Sequence, residues 1–342
     1  MIDINIVTPY DSNNFGAMLQ AYALKLVVEM NAKGKKVAIY KYDLPKQHKK
    51  YTIKRFVQEF AQFIDRSSIL EGNKKFEQFR NDYFNLSKED SYIYISGSDQ
   101  IWNPNNFQPK FFLDFVPSGS VKASYAASLG VSFASSEQIL KICENLNTFN
   151  YISVRENNAK ILLKNNVNKN IFVHVDPTLL LSKNQWITIE KEVSKKLKDY
   201  ILVYLLHIHN DAIKIINQLK KMTKKKVVLI DRTGVNRFIL NADYVLSNIG
   251  PQEFLWLFDH ADYVVTSSFH GTVFSIIYEK KFIPLINPNS PSRINNLLEL
   301  LEIKVPTNTD ELVENNIDWK KVNELVTKEQ NRSKEYLLSI LR

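Results

Sequence analysis

Short apolar runs alternate with segments of helical period along nearly the whole chain, and this alternation leaves few folds open. Residues 2–8, 37–42, 92–96, 121–127, 151–154 and 171–175 have strand length and are apolar almost throughout. Helical periods separate them at 17–30, 51–82, 136–147 and 156–165. The rhythm repeats with strands at 200–206, 227–231, 244–247, 263–266 and 282–286, and helices at 212–222, 251–260, 270–278, 291–301 and 318–341. Strands that are apolar on both faces belong in parallel sheets covered by helices on either side. The expected fold is therefore α/β, with two Rossmann-like doubly wound domains facing across a cleft. The polar stretch 182–199 divides them into residues 1–185 and 186–317, and the last helix, 318–342, is expected to pack back on the first domain.

Composition agrees with this reading. A chain of 342 residues, 44% of them hydrophobic, can fill two cores of ordinary size. Its one cysteine, Cys143, excludes an internal disulfide, and the spacing of Ile139, Ile142 and Leu146 around it predicts a buried helical position. No positively charged start leads into a long apolar stretch, and no window approaches eighteen apolar residues, so the cytoplasm is the expected location.

The net charge of +9 favours anionic partners. No known nucleic-acid module is present, so nucleic acid is not an expected partner. Residues 46–80 are rich in lysine and arginine, with Phe56, Val57, Phe60, Phe63 and Ile64 interleaved. They read either as a solvated face over a core stripe or as a basic surface resting on the inner face of a membrane. Cysteine clusters and H-E-x-x-H spacing are absent, so no metal is expected.

In open α/β sheets ligands bind beyond the carboxyl ends of the strands, and the unusual residues of this chain lie there. The first strand runs into "PYDSNNFG", where Asn14 and Gly16 either only shape the turn or approach a ligand at a helix N-terminus. "ISGSDQIWNP" places Ser98, Asp99 and Gln100 at a strand end before Trp102, a loop suited to a sugar, or simply an Asx turn. Arg155 in "ISVRENNA" offers a planar cationic fork for phosphate or carboxylate, or pairs with Glu156. Asp176 in "DPTLLL" is as readily a turn residue as a functional carboxylate.

The sharpest local signal is "VVTSSFHGTVFSIIY". Ser267 or Ser268 can cap the helix that begins there, and the helix amides, the dipole, Gly271 and His270 suit a phosphate. Arg293, in the first turn of a helix that Ser290 or Ser292 can cap, works against that helix dipole. It calls for an anionic partner, either a ligand or a carboxylate such as Glu299.

Taken together and in order, "NNFGAMLQAYAL", "GSDQIWN", "YAASLG", "SVRE", "DPTLLL", "SSFHG" and "SRINNLLELL" resemble the polysaccharide pyruvyl transferase family. The resemblance implies a fold similar to the B-type glycosyltransferases, with the first domain on the acceptor side and the second on the donor side. It also implies no cofactor, phosphoenolpyruvate as donor, and a hexose of a bacterial surface glycan or of its lipid-diphosphate-linked precursor as acceptor. The product would be a ketal, commonly across O4 and O6. His270 would act as general acid and Asp99 as the base for the sugar hydroxyl, with Arg155 and Arg293 neutralising the donor's phosphate and carboxylate. Better-studied members carry an arginine two residues before the motif histidine, where this chain has Ser268. A glycosyltransferase using a sugar nucleotide and a non-catalytic glycan-assembly protein are the alternatives.

Overall fold

The computed structural model describes residues 2–43, 65–206, 210–232, 240–286, 292–306, 308–314 and 317–342. Residues 46–64 of the basic segment, His207, His209 and Ser290 lie outside them. Strands β1 (Ile4–Val7), β2 (Val37–Tyr40), β3 (Leu86–Ser87), β4 (Ile93–Ser96) and β5 (Val121–Ser124) form a parallel sheet in the order β3-β2-β1-β4-β5. Strands β6 (Ile152–Val154) and β7 (Ile171–Val173) pair in parallel and extend it past β5 through bridges at Ala123–Tyr151 and Ala127–Val154.

The second sheet holds β8 (Tyr200–Tyr204), β9 (Lys226–Ile230), β10 (Tyr244–Leu246), β11 (Tyr263–Thr266) and β12 (Lys281–Pro284), all parallel, in the order β10-β9-β8-β11-β12. The two halves thus share one doubly wound order, with the first strand of each at the centre. β1 and β8 are buried at every position, Asn5 of β1 included, and β8 accordingly reads as an unbroken apolar run rather than an alternating one.

Helices cover both faces. The helix Phe15–Asn31 follows β1, and the helix Phe269–Ile277 follows β11. The latter is buried from Phe269 through Ile276, as a helix with apolar residues all round must be. The described part of the basic segment is the helix Arg66–Tyr83, which turns Phe76 and Phe79 into the core and pairs Lys75 with Glu253 at 2.8 Å. Cys143 is buried, and burial pushes its thiol up to about 11. Short elements that the sequence reading passes over, such as β3, the helix Lys183–Ile187 and the helix Thr309–Glu314, carry too few residues for a period to show.

One large apolar core runs through both halves, and a smaller one, with Ile201, Val203, Ile216 and Leu229, lies in the second half. Phe15 stacks on Phe254 with centroids 4.5 Å apart and meets Tyr204 edge-on at 5.9 Å. Trp186 bridges Tyr22 at 5.7 Å and Phe274 at 5.2 Å. The helix Trp319–Leu341 lies on the N-terminal half: Tyr336 Oη donates to the Ser124 carbonyl at 2.9 Å, Gln330 donates to Leu179 O at 2.7 Å, and Lys35 donates to Leu341 O at 2.6 Å. Among the described residues no helix is long and apolar enough to cross a membrane.

Phe254 is fully buried and touches aromatic rings from both halves. Phe254→Ala is expected to lower stability by about 3–5 kcal/mol, measured by denaturant unfolding, whereas a loss under about 1 kcal/mol would show that the halves do not depend on this contact.

Candidate active site

In each half the strand order reverses at the central strand, between β1 and β4 and again between β8 and β11. Ligands of doubly wound sheets sit at such points. The fold turns the two toward each other, so the loops after β1, β4, β8 and β11 converge. Asn14 closes the first of these loops and caps the helix Phe15–Asn31, its side chain accepting from the Ala17 amide at 3.1 Å. Gln20 ties this loop to the next, donating to Thr8 Oγ1 at 2.8 Å and accepting from the Ser98 amide at 3.0 Å.

The loop after β4 is tightly folded. Gly97 has φ +133 and lies so close to the Tyr125 carbonyl that a Cβ would overlap it. Asp99 has φ +77, an uncommon conformation for a side-chain-bearing residue, and accepts from the Gln100 amide at 2.8 Å. In the loop after β11, Ser267 Oγ accepts from the Leu206 amide at 2.9 Å, and Ser268 is the residue that caps the helix, accepting from Gly271 N at 3.3 Å.

These loops enclose a polar cavity of about 110 Å³ walled by Asn14, Asp99, Gln100, Leu206, Ser267, Ser268, Phe269, His270, Arg293 and Ile294. Arg293 is pushed down to about 10 by burial and by the neighbouring Arg155. With the Gln100 amide oriented so that its oxygen faces the guanidinium, it accepts from both Arg293 terminal nitrogens, at 2.5 and 2.7 Å. Arg293 pairs with no carboxylate among the described residues; Glu299 is exposed. Its Nε is buried without a partner.

His270 reaches across the cleft. Its ring lies directly on Gly16, where a Cβ would overlap Nδ1, Cγ and Cε1. The glycine is required for close packing, since its helix could otherwise accept alanine. On the other side His270 Nε2 is 3.6 Å from Asp176 Oδ2 and has no hydrogen-bond partner. Asp176 is fully buried and joins three loops. It pairs with Arg155 at 2.7 Å, accepts from the Thr178 amide and hydroxyl at 3.0 and 2.7 Å, and lies 3.5 Å from Ser98 Oγ. Burial alone would raise its pKa; His270, Arg155 and the Thr178 amide overcome it and hold the carboxyl well below the usual range.

Several sequence expectations shift. Asn14, Asp99, Gln100, Ser267, Ser268, His270 and Arg293 meet in one cavity. Ser98 lies one layer behind it, donating to the Ala126 carbonyl at 2.6 Å. Gly271 packs on Thr266, where a Cβ would overlap Oγ1, and its amide is spent on the cap. Trp102 is not a platform for a sugar: it is 1% exposed, stacks on Phe112 and donates to the Phe111 carbonyl at 3.1 Å.

Arg155 pairs chiefly with Asp176 rather than Glu156, which is 3.8 Å away. It is absent from the walls of the polar cavity and lines a second one, of about 100 Å³, on the far side of Phe269 and Arg293. Sequence reasoning left Asp176 as either a turn residue or a functional carboxylate and Gly16 as either a turn former or a ligand contact; the contacts of both with His270 were not open to it. Glu190, Asp259 and His260 also cluster, away from this cleft, but Asp259 pairs with Lys183 at 3.0 Å and Glu190 accepts from Tyr278 at 2.6 Å.

Two outcomes follow from this geometry. In an open helical position Gly→Ala gains about 1 kcal/mol; Gly16→Ala is instead expected to lose about 1–3 kcal/mol through the clash with His270, and a gain in thermal unfolding would refute the packing. Asp176 has a depressed folded-state pKa, so its stabilisation is present above the unfolded carboxylate value of about 3.9 and is lost as pH falls through the folded value. Asp176→Asn should therefore flatten the acid limb of the stability profile below about pH 4, and an unchanged limb would show that the carboxylate is not held as described.

The polysaccharide pyruvyl transferase family model matches residues 14–289. No curated protein matches the chain by sequence. Among solved structures, the chain is similar to UDP-GlcNAc 2-epimerase of Methanocaldococcus jannaschii in complex with UDP-GlcNAc and UDP, at 13% identity over 99% of both chains with a TM-score of 0.50. It is also similar to a protein of Listeria monocytogenes assigned as a UDP-N-acetylglucosamine 2-epimerase, at 10% identity over 96% of this chain and 90% of that one, with a TM-score of 0.53. At such identities the likeness shows the fold alone: two Rossmann-like halves of the B-type glycosyltransferase kind. With a family match over most of its length, the chain belongs to the polysaccharide pyruvyl transferase family.

Proposed function

We propose that the chain transfers the enolpyruvyl unit of phosphoenolpyruvate to a hexose of a bacterial surface glycan or its lipid-linked precursor, forming a pyruvate ketal and releasing phosphate. The observation that carries this reading is the convergence, in one cavity, of the Ser268-capped helix N-terminus, His270 and the buried cation Arg293. A capped helix start and a guanidinium suit the donor's phosphate and carboxylate. Arg293, the buried cation of the cavity wall, supplies the charge that better-studied members carry at position 268.

Imidazole is the side chain on the wall that can both hold and give up a proton, so His270 is the general acid. Its imidazolium delivers a proton to the methylene carbon of the donor, leaving an oxocarbenium-like centre at the carbon that bears the phosphate oxygen. Asp176, 3.6 Å from Nε2, stabilises the imidazolium. A sugar hydroxyl attacks that centre and gives its proton to Asp99, the carboxylate of the cavity wall. The C–O bond to phosphate breaks, a second hydroxyl attacks the same carbon, and its proton leaves with the phosphate. Per turnover, one proton enters at the methylene and two leave from hydroxyls, so the products are the ketal and one phosphate.

The test is phosphate release from phosphoenolpyruvate with mass spectrometry of the acceptor, over a panel of glycans and lipid-linked sugars. Donor-dependent phosphate and an acceptor carrying a pyruvate ketal support the reading; turnover of sugar nucleotides in place of phosphoenolpyruvate overturns it. His270→Ala should lower kcat by about 10²–10⁴-fold, and near-normal turnover would remove the acid assignment.

A further inference from the structure

Arg293 is held in the polar cavity by a neutral group. The Gln100 side chain reaches it from the loop after β4, and its amide oxygen accepts from both terminal nitrogens, at 2.5 and 2.7 Å. One acceptor shared by two donors of a planar guanidinium fixes both the place and the plane of the group. The nearby carboxylates are all engaged elsewhere. Asp99 accepts from the Gln100 backbone amide at 2.8 Å, and Asp176 pairs with Arg155 at 2.7 Å. Glu156 faces Arg155 Nε at 3.8 Å. All three favour the charge on Arg293, yet among the described residues none forms an ion pair with it.

The loop after β5, in "YAASLG", builds this arrangement. Gly130 lies against the Gln100 side chain, where a Cβ would come within 2.7 Å of Cδ and 2.8 Å of Cγ. The Ser128 amide donates to the Asp99 carbonyl at 2.9 Å, and the Trp102 amide donates to the Ser128 carbonyl at 3.2 Å, so the backbone is pinned on both sides of Gln100. The same loop restrains Glu156, whose Oε1 accepts from the Ser128 hydroxyl at 2.9 Å and the Leu129 amide at 3.0 Å. One loop thus seats the neutral acceptor on Arg293 and keeps a carboxylate off it.

We propose that Gln100 is a positioning residue for Arg293, a neutral clamp that orients the guanidinium without cancelling its charge and so leaves that charge to an anion in the polar cavity. Glutamate at this position has the same length and could accept the same two N–H groups, but its carboxylate would form an internal ion pair and compete with the ligand. Methionine has a similar length but no strong acceptor, and would leave the charge without its direction. That the anion is phosphoenolpyruvate rests on the reading above; the clamp does not.

The test is calorimetric titration of the full chain, Gln100→Glu and Gln100→Met, with phosphoenolpyruvate and separately with inorganic phosphate, alongside thermal unfolding of each. Both variants should bind both anions roughly tenfold or more weaker, the scale of one charge-assisted contact. Gln100→Glu should still unfold cooperatively, and in turnover it should raise the KM for phosphoenolpyruvate by a larger factor than it lowers kcat. Gln100→Met should lower the unfolding midpoint by leaving buried donors unpaired, and that loss should disappear in an Arg293→Met background. Unchanged affinity in Gln100→Glu, an equal loss of midpoint from Gln100→Met with and without Arg293, or no saturable binding of either anion by the unaltered chain would each overturn the proposal. If inorganic phosphate binds and responds to Gln100→Glu as expected while phosphoenolpyruvate is not turned over, the donor assignment falls and the clamp stands.

Discussion

The buried carboxylate of Asp176 is the point on which the cleft depends. A charge with no exposure to water survives only if partners replace its hydration. Here the replacements come from different parts of the chain: Arg155 after β6, Thr178 in the turn that follows, and His270 from the opposite half. Satisfying one carboxylate therefore fixes the ends of both sheets relative to each other. The same constraint pulls His270 over Gly16 and turns Arg155 away from the polar cavity. Removing the carboxylate would not delete one contact. It would leave Arg155 buried without its nearest counter-charge, the costlier way to break a buried pair.

Around that point the architecture is repetitive. Each half winds outward from a central strand, so each presents its loops at one edge of the switch point. What makes a site from two such edges is the aromatic contact beside them. Phe15 begins the helix whose first turn accepts His270, and it stacks on Phe254 of the other half. The packing that holds the halves together and the packing that seats His270 thus share one turn of helix. Because one apolar core spans both halves beside the cavity, it fixes the placement of Asp99 relative to His270.

Much of this was legible in the sequence. Buried parallel strands announce themselves as unbroken apolar runs, and strand–loop–helix junctions mark where ligands bind. Asn14, Asp99, Gln100, Ser267, Ser268, His270 and Arg293 were all found from that rule and meet in one cavity. What the pattern did not reveal depends on contacts distant along the chain. Trp102 follows a polar loop that reads as suited to a sugar, yet Phe112 and Phe149 close over it. Asp176 before a proline has the signature of a turn, and it is one; only the approach of Arg155 and His270 makes it more. Gly16 looks like flexibility, but its function is steric, and the ring it admits lies far along the chain.

The serine at position 268 follows from the same physics. An N-cap must offer a short side-chain acceptor, and Ser268 does so for the amide of Gly271. A guanidinium has no acceptor, so an arginine there would give up the cap. It would also stand near Arg293, whose charge burial and Arg155 already disfavour. A small, buried cavity accommodates a limited number of cations without an anion to balance them. With Arg293 brought in by the helix Ser292–Leu300, the position before the histidine is left free to cap, and the dipole of a well-started helix adds its field to the charge that the neighbouring helix supplies.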